Sequence, residues 1–416
     1  MKRRHFLQTL ALTTAITSAC SSKLWISRST AHATVHSSKR LIVVFLRGAV
    51  DGLNVVIPYQ DIAYYQLRQT IAIPKPGTLA GALDLDGSFG LHPVLAPLLP
   101  LWQQQSLAFV HSCGSSYFTR SHFDAQTYME NGTPGVKGTA DGWMNRLMTV
   151  LPNQSPVEAV SIDATMPLIL QGHSSAINFP SGTTLVQTLP LDSAPYGKLF
   201  DQLYADGQLK LDSLYQEGRT ARQMLRQGLT EDYNPTAPLP NQNGGRLTSF
   251  ANNTRQLAEL MVNQPEIQLA FLSLSGGWDT HVAQGGSTGT LATNLRALVD
   301  GLSGLVDGLG EIYKNTVIVV MSEFGRTVEE NQNRGTDHGY GNVMWVLGGG
   351  IRGGKVYGDW RGLASPDLYQ QRFLPVTTDF RDPLSTILRE HLELETASLQ
   401  KVFPGFTPRN SIELLS

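Results

Sequence analysis

The chain has 416 residues, of which 41% are hydrophobic and 16% charged. That length buries a substantial core without staples and fits one large α/β domain with insertions, or two domains, and the composition excludes large-scale disorder. The net charge of −2, with no basic, aromatic-rich stripe, gives no support to nucleic-acid binding.

The N-terminus reads as an export signal. Lys2, Arg3, Arg4, Lys23 and Arg28 occur before residue 34, with no acid among them. Arg3-Arg4-His5-Phe6-Leu7 is a twin-arginine pattern, and the apolar stretch from there to Ala19 is too short to span a bilayer. Ala31-His32-Ala33 predicts cleavage after Ala33. Cys20, behind Thr17-Ser18-Ala19, makes a poor lipoprotein box. The expected export partner is the twin-arginine translocase. The expected location is the periplasm or beyond, with no stable transmembrane anchor. Cleavage leaves Cys113 as the one thiol, so no internal disulfide is expected, and Cys113 reads as a buried small hydrophobe.

The body alternates strands and helices. The run 41–46 (LIVVFL) predicts a strand, 91–102 an amphipathic helix carrying Leu95, Leu98, Leu99 and Trp102, and 107–111 (LAFVH) a second strand. A helix is expected from Ser121 to Asn131, closed by Gly132. Residues 133–265 differ in character and are expected to form an insertion or cap. They hold short strands at 157–162 and 166–170 and helical stretches near 192–230 and 246–263. Strand–helix alternation resumes with 269–275 (LAFLSLS), then a helix whose stripe is Leu291, Leu295, Leu298, Leu302, Leu305, Leu309 and Ile312. Gly301, Gly304 and Gly308 beside that stripe predict close packing on a neighbouring backbone. Strands follow at 317–321 (VIVVM) and 343–347 (VMWVL), and a last helix runs to about Leu394, capped by Thr378 or Asp379. Near-continuous apolar runs suit strands buried on both faces, as in a parallel sheet.

Four of these runs end in small polar patches: Arg47-Gly48-Ala49-Val50-Asp51-Gly52, Thr119 to Asp124, Gly276 to His281, and Ser322 to Arg326. Open parallel sheets gather ligands at the carboxyl ends of strands, so these patches are expected to converge. His122, His281 and His338 each lie in a polar motif beside a strand, and Asp279 and His281 share a side if the backbone is extended. Carboxylate with imidazole suits Zn, Mn or Fe; carboxylate alone suits Mg or Ca. Asp51 reads equally as a metal ligand or as a turn cap. A hydroxyl at the start of the 121–131 helix sits where helix N–H groups help hold a phosphate or sulfate; Thr119 and Ser121 read equally as N-caps. Arg47 and Arg120 are candidate oxyanion clamps, and His122, beside the candidate hydroxyls, is a candidate catalytic group. The glycines around His338 suggest close approach by a ligand. The run Gly348 to Gly353 fits G-x-G-x-x-G, but no helix pattern follows, so a dinucleotide site is rejected.

Taken together, RGAVDGLN, TRSHFDAQ, GGWDTH, SEFGRT, TDHG and TTDFR resemble domain-of-unknown-function family 1501, over nearly all of residues 41–395. That family is grouped with the alkaline phosphatase-like superfamily, which includes sulfatases and phosphoglycerate mutase. The resemblance implies an α/β sandwich, a mostly parallel or mixed sheet with helices on both faces, and a two-metal site at the strand ends. It implies Asp51 as a first-strand ligand, Ser121 as nucleophile before Thr119 and Ser116, and Asp279, His281, Glu323 and His338 as ligands. Asp337 either supplies a missing ligand or supports His338. Two departures stand out: D-x-H where D-x-x-x-H is frequent, and Glu323-Phe324 where Asp-His is usual, so one or two ions are expected. The implied activity is metal-dependent hydrolysis of a phosphate or sulfate ester on a small molecule or glycan. A non-catalytic binding or assembly protein on the same scaffold is the alternative.

Overall fold

The apolar runs become strands of one sheet because both of their faces are covered. In the computed structural model the described residues are 39–151, 159–179, 193–204, short pieces of 215–223, 245–409 and 412–415. The twin-arginine segment and its cleavage site lie outside them. In chain order the strands are β1 (Arg40–Arg47), β2 (Val56–Ile57), β3 (Leu83–Asp84), β4 (Gly90–Leu91), β5 (Leu107–Gly114), β6 (Ala159–Ile162), β7 (Ile177–Phe179), β8 (Leu269–Ser275), β9 (Thr316–Ser322), β10 (Asn342–Gly348), β11 (Lys355–Tyr357) and β12 (Thr378–Asp379). The short β2, β3 and β4 make a separate antiparallel sheet. The rest form the main sheet in the order β11-β5-β10-β9-β1-β8-β6-β7, with β12 beside β5. Its pairings are parallel except those of β10, which runs against both β9 and β5.

Six helices matter to the packing: α1 (His122–Asn131), α2 (Trp143–Met148), α3 (Gly245–Asn263), α4 (Thr290–Leu309), α5 (Arg381–Thr386) and α6 (Thr396–Val402). Successive residues of a strand face opposite ways, and β1 shows the consequence. Ile42, Val44 and Leu46 join a core with the α4 leucines and with Leu257 and Leu260 of α3. Leu41, Val43 and Phe45 join a second core with Trp143 and Leu147 of α2, Leu384 of α5 and Val402 of α6. The architecture is therefore a mixed α/β sandwich with helices on both faces, as expected. No described helix is long and apolar enough to cross a membrane.

The α4 stripe is buried from Leu291 to Leu309. A Cβ on Gly301 would lie 2.4 Å from the Phe250 ring, and one on Gly308 2.7 Å from Ala258. The glycines thus admit side chains of α3 and not, as expected, a backbone. Several other expectations are corrected. Residues 133–265 are not only a cap: β6 and β7 extend the main sheet, α2 belongs to one core and α3 packs on the other. The expected strand at 166–170 is instead a turn of 3-10 helix over Leu168–Leu170. The predicted helix at 91–102 divides into 3-10 helix Pro93–Leu98 and α-helix Leu99–Gln103, because Pro97 and Pro100 remove donors from a continuous ladder. The helix expected to run to about Leu394 is α5, with a π-helical turn at Ile387–His391, and α6 follows it; Asp379 accepts the Arg381 amide at 3.0 Å.

The reversed strand β10 matters most for the site. The parallel strands β1, β5, β8 and β9 bring their carboxyl ends to one rim. β10 runs the other way, so the residues before it reach that same rim, where His338 bridges to Arg326 behind β9. An apolar run cannot reveal strand direction, so this convergence is invisible in the sequence.

Candidate metal centre

Helix α1 places the first imidazole. Ser121 is its N-cap, accepting the Asp124 amide at 3.4 Å, and His122 opens its first turn. His122, Gln126 and Glu130 repeat every four residues and so share one face. His122 Nδ1 and Gln126 Nε2 each lie 2.8 Å from Glu323 Oε1, and Glu130 accepts Arg47 at 2.7 Å. Behind β1 the backbone curls through Gly48 (φ +129°) and Ala49 (φ +57°). This aims both amides at Glu323, at 2.8 and 3.1 Å, and Ser322 Oγ donates to it at 2.8 Å.

The other two imidazoles are anchored in the same manner. His281 Nδ1 faces Asp337 Oδ1 at 3.2 Å, and His338 Nδ1 donates to the Arg120 carbonyl at 2.9 Å. The Nε2 atoms of His122 and His281 both turn toward that of His338. His338 Nε2 lies 3.1 Å from both His122 Nε2 and His281 Nε2. Asp279 completes the group, 3.0 Å from His281 Nε2, 3.1 Å from His338 Nε2 and 3.5 Å from His122 Nε2. Buried Arg326 donates to the same Asp279 Oδ1.

Protons cannot satisfy this arrangement while the rings are neutral. A carbonyl only accepts, so His338 carries its proton on Nδ1 and a lone pair on Nε2. Nδ1 atoms facing carboxylates place the same demand on His122 and His281. Ring lone pairs therefore face one another and Asp279, to which Arg326 alone among these groups brings a proton; His122, Asp279 and His338 are placed so that they could hold a cation. Zn–N bonds of about 2.0–2.1 Å in a tetrahedron imply donor–donor distances of roughly 3.3–3.4 Å; His122 Nε2, His338 Nε2 and the Asp279 carboxylate come near this, at 3.1–3.5 Å. His281 Nε2 approaches His338 and Asp279 but lies outside that mutually close group. An Nδ1–H held by a carboxylate or carbonyl is the usual support of a metal-bound histidine.

The electrostatics agree. Burial disfavours charge on Glu323, yet the bonds from His122, Gln126 and backbone amides hold its carboxyl below the usual range. The Glu323 bond raises His122 against the opposing effect of burial. Burial lowers His338. At Asp279 burial pushes upward, but Arg326 outweighs it and keeps the carboxyl low. The Asn331 bond, opposed by burial and aided by His281, lowers Asp337. The cluster stays within reach of solvent, for the side chains of Asp279 and His281 are each 41% exposed.

The structure therefore unites His122, His281, His338 and Asp279 and sets other expected site residues apart. Asp51 is neither in this cluster nor a turn cap. Arg68 grips both of its oxygens, at 2.5 and 3.0 Å, and Gln284 donates to it at 2.6 Å. Glu323 has its oxygens taken up and orients His122. Asp337 serves His281, not His338. His122, expected among the catalytic groups, stands with the imidazole donors. Arg47 is engaged by Glu130 and Gln126 and is no free oxyanion clamp. Thr119 Oγ1 accepts the Ser121 amide at 3.2 Å, and Ser116 Oγ accepts Arg381 at 3.1 Å. The Arg120 guanidinium lies 5.4 Å over the Phe373 ring. Glycine beside His338 serves chain packing instead of ligand approach, since a Cβ on Gly339 would lie 2.4 Å from the Arg326 carbonyl oxygen. Sequence reasoning missed Gln126, although its spacing from His122 was a signal. It also missed Arg326, Gln284 and Arg68, for which no local signal exists.

A family model described as "Protein of unknown function (DUF1501)" matches residues 38–403. No curated protein matches. Among solved structures the chain is similar to Ps i-CgsB in complex with k-i-k-neocarrahexaose, at 12% identity over 88% of this chain and 74% of that one, with a TM-score of 0.37. It is similar to the phosphonate monoester hydrolase SpPMH from Silicibacter pomeroyi, at 12% identity over 86% and 74%, with a TM-score of 0.37. The lipoteichoic acid synthase LtaP from Listeria monocytogenes shows 10% identity over 86% and 73%, with a TM-score of 0.34. At such identities and scores none of the three carries an argument about the activity of this chain.

Proposed function

We propose that this chain, which belongs to the DUF1501 family, is an exported, metal-dependent hydrolase of phosphate or sulfate esters. The observation that carries the metal is the approach of His122 and His338 Nε2 to Asp279, with His281 beside them and each ring fixed from behind through Nδ1. The ester class rests on the resemblance of the motifs to the alkaline phosphatase-like superfamily, and export rests on Arg3-Arg4. His122, His281, His338 and Asp279 would hold one divalent ion, Zn by its donor set, with Mn and Fe next. Asp51 and Glu323 are engaged elsewhere, which leaves no ligand set for a second ion among the described residues. A bound ion of this kind supplies a positive centre that favours an ionised hydroxyl and draws charge from ester oxygens.

The chain's own groups have separate tasks. Glu323, Asp337 and the Arg120 carbonyl hold the three rings in one tautomer. Arg326 keeps Asp279 ionised and aimed. Ser121, exposed at the first turn of α1, is the assigned nucleophile. Its Oγ holds the Asp124 amide only at 3.4 Å, a weak bond that leaves it free to attack. A bond from Oγ to phosphorus or sulfur would form as the bond to the ester's alcohol oxygen breaks, the serine proton leaving with the alcohol; water would then hydrolyse the seryl ester, releasing phosphate or sulfate and restoring the serine hydroxyl.

Replacing His338 by Ala should abolish both cation uptake and turnover on a panel of phosphate and sulfate esters, with thermal unfolding little changed. Unchanged turnover refutes the proposal. The alternative, a binding protein on the same scaffold, is favoured by Ser121 acting as an ordinary helix cap. It predicts a purified protein that holds a cation and turns over no ester.

A further inference from the structure

A buried chain of hydrogen bonds runs from Asp51 to the proposed metal centre. Gln284 Nε2 donates to Asp51 Oδ2 at 2.6 Å. Its Oε1 accepts two hydroxyls, Thr280 Oγ1 at 2.7 Å and Thr336 Oγ1 at 2.9 Å. Thr336 Oγ1 in turn accepts Arg326 Nε at 3.1 Å, and Arg326 also donates to the Thr336 carbonyl. The last link is from Arg326 to Asp279. Arg68, Gln284 and Thr336 are fully buried and Arg326 is 2% exposed.

Each link has one polarity. Flipping the Gln284 amide would set its oxygen against Asp51 and its NH2 against two hydroxyls. The Asp51–Arg68 pair therefore fixes the amide, and the amide fixes the Thr336 hydroxyl. With its single proton given to Gln284, Thr336 can only accept from Arg326. Both Thr336 oxygens then hold the guanidinium plane in one setting. Asp279 is the exposed end of this chain, with a 41% exposed side chain. Every charge along the way is matched, Arg68 by Asp51 and Arg326 by Asp279, as burial requires.

We infer that Gln284 and Thr336 are positioning residues of the metal centre, acting through Arg326 to hold the Asp279 carboxylate toward the three imidazoles. This rests on the reading that His122, His281, His338 and Asp279 bind a divalent cation. The test is a Co²⁺ titration of the full chain at neutral pH, followed by visible absorption, with thermal unfolding recorded alongside. Thr336→Val keeps the side-chain shape and deletes the hydroxyl. It should bind Co²⁺ about 10–100-fold more weakly and with an altered absorption band. Thr336→Ser should restore both affinity and band. Equal affinity and an identical band for wild type and T336V overturn the positioning role while leaving the cation site in place. A wild-type protein that takes up no Co²⁺ overturns the cation reading and this inference with it. Should T336V not fold, Gln284→Met, which deletes both amide functions, carries the same expected loss and the same overturning result.

Discussion

Around Asp51 and around Asp279 the chain gathers carboxylates at the same sheet rim, but positive charge reaches them differently. Asp51 is answered from within: Arg68, wholly buried, fills both of its oxygens. Asp279 faces three ring nitrogens that offer lone pairs, and Arg326 serves only one of its oxygens. The first cluster is complete as folded protein. The second leaves ring lone pairs beside a carboxylate, a set of groups that could hold a cation. A strand-end carboxylate is thus closed off when an arginine fills both of its oxygens, as Arg68 does at Asp51, and keeps a face open when an arginine fills one, as Arg326 does at Asp279.

Acid is the strongest way to separate the histidines of the site from those of the core. Burial lowers His92, His111 and His391 from 6.5 to about 4. Each donates Nε2–H to a carbonyl, of Gly286, Val56 and Arg40 respectively, and in His92 and His111 the Nδ1 atom accepts a backbone amide. A second proton would break that pattern. Between pH 6.5 and 4 the unfolded chain therefore binds more protons than the folded one, so stability falls as pH falls through this window. The loss should be on the order of 2 kcal/mol for each histidine between pH 6.5 and 5. Denaturant unfolding at the two values measures it, and equal stabilities would refute it.

Arg68→Met attacks the self-contained cluster directly. It strands Asp51 in the interior and should cost about 3–5 kcal/mol in denaturant unfolding. If Arg68 is instead dispensable, the contrast between the clusters fails. Glu323→Gln sharpens the other side. It should weaken cation binding roughly 10–100-fold by loosening His122, read by calorimetric titration with Zn²⁺. The smallest effect expected is that of Gly301→Ala, whose Cβ meets Phe250. It should destabilise by about 1–3 kcal/mol through overpacking, with cation affinity unchanged.

Much of this was legible before folding. Uninterrupted apolar runs such as 41–46 and 317–321 announce strands covered on both faces, and the period of the α4 leucines announces its buried stripe. The three histidines are recognisable from their place in polar patches beside strands. The roles of the carboxylates were not. Asp51 and Glu323 follow strands just as Asp279 does, yet one meets Arg68 and the other meets His122, Gln126 and two amides. Those partners come from up to 275 positions away in sequence. β6 and β7 lie within a stretch that reads as a cap, and β7 carries no strand signal, because short strands hold too few residues to declare their sheet.

The sequence by itself determined the elements and the list of side chains able to grasp a cation, because burial period and residue chemistry are local properties. Only the tertiary structure decided which of those side chains meet. Reversing β10 carries His338 to the rim with His122, His281 and Asp279, and folding Arg68 inward takes Asp51 out of the set. Direction and partnership depend on long-range pairing, which no short stretch of chain encodes.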